Sequence, residues 1–371
     1  MEFPIAHPTP DHQKSHLSAT AATFVPLIDV DRARDLRFTE ELRQTSEYNI
    51  DIPPDDPQIY KPHINDILPQ SPLTTPSTED RPSLYEAFAW HVRFILIEFG
   101  GAGFAKFKSK LGKPASVQSL PVTKTANHPG HAMHADESTY DGNWEVLMNV
   151  GKQRDWTDEE LQWFIELFHG NLATREHLEG LRRMRVIEKS AKNHLDFIIF
   201  ILGLFHLKMA AANAYWRIHV EPKDDHDEPS GVFEYINYLR PKATTEFAAK
   251  NGPSFCSMHE IIYHATWTDI LECWSIEAKK SFGVDTLDGF AELDPNWDDI
   301  MSISKHIANK YLPGDDFGYE RDQEKTRRDT VFKNLRVRNQ HGLLYLELAR
   351  AMNWGDVGHL LELFPYYITI F

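Results

Sequence analysis

The chain has 371 residues, of which 42% are hydrophobic, and its 39 basic and 55 acidic residues give a formal net charge of −16. This length indicates two domains, or one large domain with an extension. An acidic chain repels nucleic acid and anionic membranes at long range, so nucleic-acid binding would need a local basic patch. The simplest interpretation of the charge is ordinary solubility.

The sequence also indicates an intracellular location, nuclear or cytoplasmic. Cys256 and Cys273 are too few for a disulfide framework, and we predict that both are buried. The N-terminus lacks a secretory signal. The longest apolar run, residues 197–205, is far shorter than the roughly twenty residues that span a bilayer, so no membrane partner is expected.

Proline separates the first 82 residues from the rest, because twelve of the 22 prolines lie there. This density disfavours long helices and central strands. We predict a disordered or loosely docked tail over residues 1–22, then an irregular arm with a short strand near Phe24–Ile28. Residues 69–82 form a linker, and the main α/β domain covers residues 83–371.

Two strand–turn–helix units are predicted inside the main domain. An apolar run over Trp163–Phe168 precedes a helix capped by Thr174, and the run Phe197–Leu202, typical of a strand buried on both faces, precedes a helix over Phe205–Ile218. This order favours a helix-rich α/β fold with a parallel or mixed sheet under helical cover. Trp144–Val150 is a short strand or a turn of helix.

Helices are predicted on both sides of these units. Their apolar periodicity places them at Leu84–Phe99, Met258–Phe282, Trp297–Tyr311 and Arg321–Met352. The chain then ends in an apolar, strand-like segment, Tyr366–Phe371.

The stretch from Asp136 to Asn143 is the first candidate site. Asp136 and Glu137 are adjacent carboxylates on a loop, and Mg²⁺ is the cation that prefers such oxygen ligands. Asp, Ser, Thr, Gly and Asn also favour turns, so a hydrogen-bonded turn is the alternative.

The preceding loop is a second candidate. His128, His131 and His134 lie within nine residues of Asp136, and imidazoles with a carboxylate can hold zinc. A single loop seldom supplies every ligand, so an ordinary loop is favoured.

Polar residues that follow the two predicted strands form the third candidate. His169 and Asn171 follow the first strand and His206 follows the second, where α/β sheets place ligands. A carboxylate at such a strand end can hold a catalytic cation, but Asn171 is neutral and binds Mg²⁺ weakly. The alternatives are an Asx turn that caps the next helix and a hydrogen-bonded core histidine.

Several other sequence patterns give little support for a functional site. His259 and His264 are spaced i, i+5, which turns the second ring away from a zinc-protease arrangement. No phosphate-binding glycine loop and no serine-hydrolase elbow occur. The run Asp224–Glu228 is typical of a solvated loop.

Basic residues concentrate in two places on predicted helices, and a solvated helix face is the favoured interpretation of both. The second group is the better candidate for contact with a polyanion. The groups are Arg182, Arg183, Arg185, Lys189 and Lys192, and then Arg321, Lys325, Arg327, Arg328, Lys333, Arg336 and Arg338.

An ordered set of motifs runs from Lys124 to Asp356. They are Lys124-Thr125 to His128-Pro129, Ala132-Met133 with Asp136–Asn143, His169–Thr174, Gly203–Ala210 with Trp216, Met258–Ile262, Cys273-Trp274 with Glu277-Ala278, and Ala351–Asn353 with Gly355-Asp356. Together they resemble the domain of unknown function 6589, a family expanded in mushroom-forming fungi. The resemblance covers about residues 85–371.

The resemblance implies a relation to transposon-encoded proteins and, by analogy, a ribonuclease-H-like core. The family's turn usually reads His-Gly-Asp, whereas this chain has His169-Gly170-Asn171. If that Asp is a metal ligand, this chain lacks it. Members also tend to continue past the position of Phe371, which implies a degenerate or truncated copy.

Two functional hypotheses follow. The first is a transposon-derived, nucleic-acid-associated protein with a degenerate metal-dependent phosphoryl-transfer site, at which Asp136, Glu137, His169, Asn171 and His206 are the candidate residues. An active version would be a nuclease-like or transposase-like enzyme. The second is a non-enzymatic interaction or scaffold protein, whose partners the sequence does not specify.

Overall fold

A computed structural model describes residues 2–4, 16–38, 84–188, 190–220, 231–242, 252–314 and 329–371. The strands are β1 (Glu2–Pro4), β2 (His16–Ser18), β3 (Thr23–Phe24), β4 (His128–Pro129), β5 (Glu166–Gly170) and β6 (Ile198–Leu202). The helices are α1 (Arg32–Asp35), α2 (Leu84–Phe99), α3 (Lys108–Leu111), α4 (Tyr140–Gln153), α5 (Asp158–Trp163), α6 (Leu172–Met184), α7 (Ala191–His194), α8 (Leu204–Tyr215), α9 (Phe233–Leu239), α10 (Phe255–Phe282), α11 (Leu287–Glu292), α12 (Trp297–Lys310), α13 (Thr330–Trp354) and α14 (Val357–Ile370). A 3₁₀ segment covers Ala102–Phe107 and a π-helical turn covers Trp216–Val220. The predicted helix-rich character is confirmed.

The chain divides into two compact units. We call residues 1–63 and 122–206 the strand-containing unit, and residues 64–121 and 207–371 the helical unit. The predicted boundary at residue 82, the linker over 69–82 and the acidic run Asp224–Glu228 lie outside the described residues.

The parallel pair β5–β6 is the centre of the strand-containing unit. Glu166 is in register with Ile198 and Gly170 with Leu202, so both strands end at the same edge. Parallel neighbours need a crossover connection, which includes α6 here. The predicted pairing of two strand–turn–helix units is therefore confirmed for the described residues, although the sheet they form there has two strands.

The prediction that the second strand is buried on both faces is wrong. Ile198 is buried in a cluster with Leu178 and Leu195, whereas Ile199 is 37% and Ile201 44% exposed. Successive side chains of a strand point to opposite faces, and here one face packs on the apolar cluster while the other meets solvent. An apolar run alone does not reveal this, because it lacks the polar alternation that marks a half-covered strand.

Of the two alternatives for Trp144–Val150, the helical one is confirmed, and the helix is longer than predicted because the segment lies inside the 14-residue helix α4. Thr139 caps this helix by accepting a hydrogen bond from the backbone N–H of Gly142. Tyr140 and Trp144 then pack on α6, with the Arg185 guanidinium 3.6 Å above the Trp144 ring. Tertiary packing therefore extends the helix well beyond its short apolar stretch.

The N-terminal segments take part in two short antiparallel strand pairs. β1 and β2 pair antiparallel, and they lie within the residues predicted as a tail. β3 pairs antiparallel with β4. The strand predicted near Phe24–Ile28 is confirmed only at Phe24, because Val25 to Ile28 do not continue the strand.

The helical unit is built on five long helices: α2, α10, α12, α13 and α14. Their core includes Phe88 and Trp274, both completely buried, and the Trp274 indole donates to the Val92 carbonyl oxygen at 3.0 Å. The predicted helix Leu84–Phe99 is confirmed at both ends. Cys273 is buried as predicted, whereas Cys256, near the start of α10, is exposed.

The prediction of a strand-like C-terminus is wrong. Residues 357–370 form α14, which Asp356 caps by accepting from the His359 N–H. Leu360, Leu363 and Tyr367 are buried, at the spacing of one helix face. Tyrosine, isoleucine and phenylalanine suggested a strand by propensity, and packing against the rest of the unit overrides it.

None of the described helices combines the length and the apolar character needed to cross a bilayer.

Candidate functional site

The shared edge of β5 and β6 brings together two of the candidate residues. His169 is in β5, and His206 lies in the first turn of α8, just beyond β6. A Cβ atom at Gly203 would lie 3.1 Å from His169 Nε2 and 3.4 Å from His206 Cδ2. The two imidazoles therefore flank Gly203, and the absence of a side chain there lets them approach each other.

Asn171 lies at the same edge but has a structural partner. Its side-chain oxygen accepts from the Thr174 backbone N–H at 2.8 Å and from the Thr174 hydroxyl at 3.0 Å. Asn171 is thus the N-cap of α6, and the prediction that Thr174 is the cap is wrong. The cap lies one turn earlier because β5 continues to Gly170, so the helix starts immediately after it. The alternative of an Asx turn is confirmed.

The acidic stretch forms a hydrogen-bonded turn. The Asp136 carboxylate accepts from the Ser138 hydroxyl at 2.6 Å and from the Ser138 N–H at 3.0 Å. These bonds stabilise the charged form and hold the pKa of Asp136 below its usual value. Glu137 is exposed, and its contribution to the turn is its backbone carbonyl.

Asn143 and His177 connect this turn to α6. The buried Asn143 amide donates to the carbonyl oxygens of Glu137 and Thr139, and it lies 3.0 Å from His177 Nδ1. Sequence reasoning missed His177, although it lies on α6 six residues after the Asn171 cap. Six residues of helix span about 9 Å, so the turn meets α6 well along its axis.

The five candidate residues therefore fall into two groups. His169, Asn171 and His206 share the strand edge, whereas Asp136 and Glu137 belong to the turn beside His177. No hydrogen bond or ion pair joins either carboxylate to the three edge residues, all of which are described. The convergence of all five in one pocket stays a prediction.

Gly142 provides a test of how tightly the acidic turn is built. A Cβ at this position would lie 1.7 Å from the backbone oxygen of Asp136, a contact that no real structure tolerates. We expect Gly142→Ala to lower the free energy of unfolding of the strand-containing unit by about 1–3 kcal/mol, because the backbone must shift. Urea unfolding followed by tryptophan fluorescence measures the change. Gly231→Ala is the control, since the nearest atom to its Cβ is 3.7 Å away; equal stability of both variants would contradict the expectation.

Comparison with known families identifies the chain. Residues 64–371 match the model of a family of unknown function, DUF6589. The chain belongs to the DUF6589 family. No curated protein and no solved structure matches it. The family predicted from the ordered motifs is confirmed, and the match begins about twenty residues before residue 85, where the resemblance was predicted to start.

Two loops of this DUF6589 protein were considered as candidate metal sites, the zinc site at His128–Asp136 and the Mg²⁺ site at Asp136 and Glu137. Within the described part of the chain, no group of three or more His, Cys, Asp or Glu side chains is placed to hold a metal ion. The zinc arrangement of His128, His131, His134 and Asp136 is therefore not formed. Asp136 and Glu137 would supply only two protein ligands, so Mg²⁺ binding there stays a prediction.

The two histidines of the HExxH-like pattern contact different neighbours. His259 Nδ1 lies 2.8 Å from the Tyr345 hydroxyl, whereas the His264 ring meets the edge of Trp267. Burial lowers the pKa of both histidines. Both rings belong to the aromatic packing around α10.

Two members of the second basic group of this DUF6589 protein do not lie on a solvated helix face. Arg336 and Arg338 on α13 are each only 2% exposed. Arg336 donates to the Leu312 carbonyl oxygen, and Arg338 makes a two-point contact with the Asp269 carboxylate at 2.7 and 2.8 Å. These two arginines are unavailable to a polyanion; residues 321, 325, 327 and 328 of the group lie outside the described residues, as does Lys189 of the first group.

Proposed function

We propose that this DUF6589 protein is transposon-derived and nucleic-acid-associated, and that the shared edge of β5 and β6 is a degenerate metal-dependent phosphoryl-transfer site. The observation that carries the proposal is the pair His169 and His206 on either side of Gly203. Ligands of α/β sheets bind at the carboxyl ends of parallel strands, which is where this pair lies. A ribonuclease-H-like core and a fungal origin belong to the same proposal and rest on the family resemblance. A nuclear or cytoplasmic location also belongs to it and rests on the presence of two cysteines, too few for a disulfide framework.

Asn171 is the reason that we call the site degenerate. It occupies the position at which the family resemblance implies an aspartate, and its neutral amide offers Mg²⁺ no charge. Its oxygen is also engaged by Thr174 as the α6 cap. In this form the edge has two imidazoles, which are poor Mg²⁺ ligands, and no carboxylate among the candidates placed there.

Asn171→Asp tests the proposal with little risk to the fold. Aspartate is as good an N-cap as asparagine, and a negative charge at a helix N-terminus is favourable. We expect the variant to bind Mg²⁺ about tenfold more tightly than the wild-type protein, because it restores a charged oxygen ligand beside His169 and His206. Isothermal titration with MgCl₂ measures the affinity, and cleavage of single- and double-stranded DNA measures activity.

The matched control is Asn149→Asp, which adds the same charge on α4. Asn149 donates to the Glu145 carbonyl within its own helix, and among the described residues no hydrogen bond joins it to His169, Asn171 or His206. If both variants bind Mg²⁺ equally, the strand edge is not a cation site. If Asn171→Asp neither cuts DNA nor binds it at low salt, the nucleic-acid proposal is abandoned.

A second candidate function is a non-enzymatic interaction or scaffold protein. The burial of Arg336 and Arg338 favours it, because it removes two residues of the better predicted polyanion surface from an already acidic chain. Affinity purification after nuclease treatment separates the two candidates. A stoichiometric protein partner without bound nucleic acid supports the scaffold, and loss of every partner with nuclease supports the first proposal.

A further inference from the structure

The guanidinium of Arg93 on α2 is buried but has few hydrogen-bond acceptors around it. The residue is 8% exposed, and among the described residues its guanidinium makes one hydrogen bond, from Nη1 to the Ser304 hydroxyl on α12 at 2.9 Å. Its Nε is buried with no partner among the described residues. A guanidinium carries five N–H donors, and leaving buried donors of a charged group unpaired is costly.

The other buried arginines of the helical unit are satisfied. Arg338 makes its two-point contact with Asp269, Arg350 donates through Nε and Nη2 to Glu347, and Arg336 donates through Nε and Nη2 to the Leu312 carbonyl. In all three, the edge formed by Nε and Nη2 faces an oxygen. In Arg93, Nε is buried and has no acceptor, and no hydrogen bond within the described part of the chain is made by Nη2. This edge is the one that carboxylates and phosphates bind at two points.

The neighbouring side chains do not compensate for the Arg93 charge. The Ser304 hydroxyl donates to the Met301 carbonyl, so it can only accept from Arg93, and it brings no negative charge. Glu86 lies two turns earlier on α2, and it acts on Arg93 through its charge rather than through a hydrogen bond. Burial outweighs this attraction and lowers the pKa of Arg93 to about 10.

We propose that Arg93, oriented by Ser304, is the anchor of a binding site for a small oxyanion between α2 and α12. The ligand is the phosphate or carboxylate group of a small molecule, and it would supply the acceptors that the Nε–Nη2 edge lacks. The site lies in the helical unit, so it is independent of the strand edge for which a function is proposed above.

Thermal unfolding and calorimetry test this site with inorganic phosphate and with acetate, each compared with NaCl at equal ionic strength. We expect at least one of the two anions to raise the unfolding temperature of the wild-type protein by about 3 °C at ten times its dissociation constant, with one ion bound per chain. The anion that acts identifies the ligand class. If neither acts, the proposal is wrong.

Arg93→Met removes the charge and keeps a long apolar stem, and we expect at least tenfold weaker binding of the same anion. Without anion, this variant should unfold at or above the wild-type temperature, because an uncompensated buried cation is lost. A marked fall would show that the protein itself satisfies Arg93 and would overturn the proposal. Arg93→Lys keeps the charge without the two-point edge, so it should bind with intermediate affinity; wild-type affinity in this variant would also count against the site.

Arg217→Met is the matched control, because Arg217 is an exposed arginine of the same unit. It should keep the wild-type response to the anion. An equal response in Arg93→Met and the wild-type protein would mean an adventitious ion only.

Discussion

Replacing Glu347 with glutamine is expected to lower the free energy of unfolding by about 3–5 kcal/mol. The Glu347 carboxylate on α13 is completely buried. It accepts from His91 Nε2 and from Arg350 Nε, both at 2.8 Å, and its other oxygen lies 3.1 Å from His359 Nδ1. Removing the charge leaves the buried Arg350 guanidinium with the more distant Asp356 carboxylate, 3.8 Å away, as its remaining counter-ion among the described residues. Losing the closer carboxylate costs more than the pair itself contributes.

The same carboxylate makes the free energy of unfolding of the helical unit depend on pH. Desolvation by itself raises the pKa of Glu347, but hydrogen bonds from Arg350 and His91 together with their charges outweigh it and lower the pKa to about 2. A carboxylate with a lowered pKa stabilises the fold fully above its unfolded value of 4.5. This contribution is lost as the pH falls from 4.5 towards 2, and Glu347→Gln should lack it.

Urea denaturation at pH 7 measures the effect, with Glu98→Gln as the control. Glu98 forms an exposed pair with Lys108 at 2.7 Å, and surface pairs contribute less than about 1 kcal/mol. The double variant Glu347→Gln with Arg350→Met should recover part of the lost free energy of unfolding, since it also removes the Arg350 guanidinium, which has lost its closest counter-ion. A Glu347→Gln protein as stable as Glu98→Gln would contradict the expected role of this ion pair.

Acid between pH 6.5 and 4.5 is expected to destabilise the protein through a partly buried pair of histidines. His219 Nε2, in the π-helical turn, lies 2.9 Å from His341 Nδ1 on α13. When both rings are neutral, one of them donates a hydrogen bond to the other. Burial lowers the pKa of His341 to about 4, and burial with the nearby charges of His341 and Arg338 lowers the pKa of His219 well below its ordinary value.

Proton binding by the unfolded chain determines whether stability rises or falls with pH. Between pH 6.5 and about 4, the unfolded chain binds protons at these histidines that the folded protein excludes, so stability falls as the pH falls. For His341 the lowered pKa corresponds to about 3 kcal/mol at the acid end of this range. Above pH 6.5 both states are neutral and the effect vanishes.

Denaturation curves at pH 7, 6, 5 and 4.5 check this prediction. His341→Gln can still hydrogen-bond to His219 but cannot take up the proton, so it should lose less stability on acidification than the wild-type protein. His306→Gln is the control, because the His306 side chain is 52% exposed. A wild-type protein that is equally stable at pH 6.5 and 4.5 would contradict this prediction, because it would show that the folded protein takes up protons at these histidines as readily as the unfolded chain.

Local sequence patterns were sufficient for the long helices and for the candidate strand edge. The apolar spacing of α2 and the strand–turn–helix order around β5 and β6 depend on neighbours within a few residues. The N-cap residue of α6 was harder to predict from the sequence, because Asn171 and Thr174 are both good capping residues. The choice between them depended on where β5 ends. The helical C-terminus was missed because β propensity is strongly overridden by packing context.

The sequence by itself determined that this chain belongs to the DUF6589 family, that it is helix-rich, and that His169, Asn171 and His206 lie at or just beyond the ends of two strands. The structure showed that these strands are parallel neighbours and that His169 is still part of β5. Only the tertiary structure decided which charged residues are buried and how they are paired. Glu347 and His91 are separated by 256 residues, and Arg338 and Asp269 by 69. Helical periodicity describes one face of one helix, whereas an ion pair is selected by which faces of distant helices meet, so these partners and the unpaired Arg93 become visible only after folding.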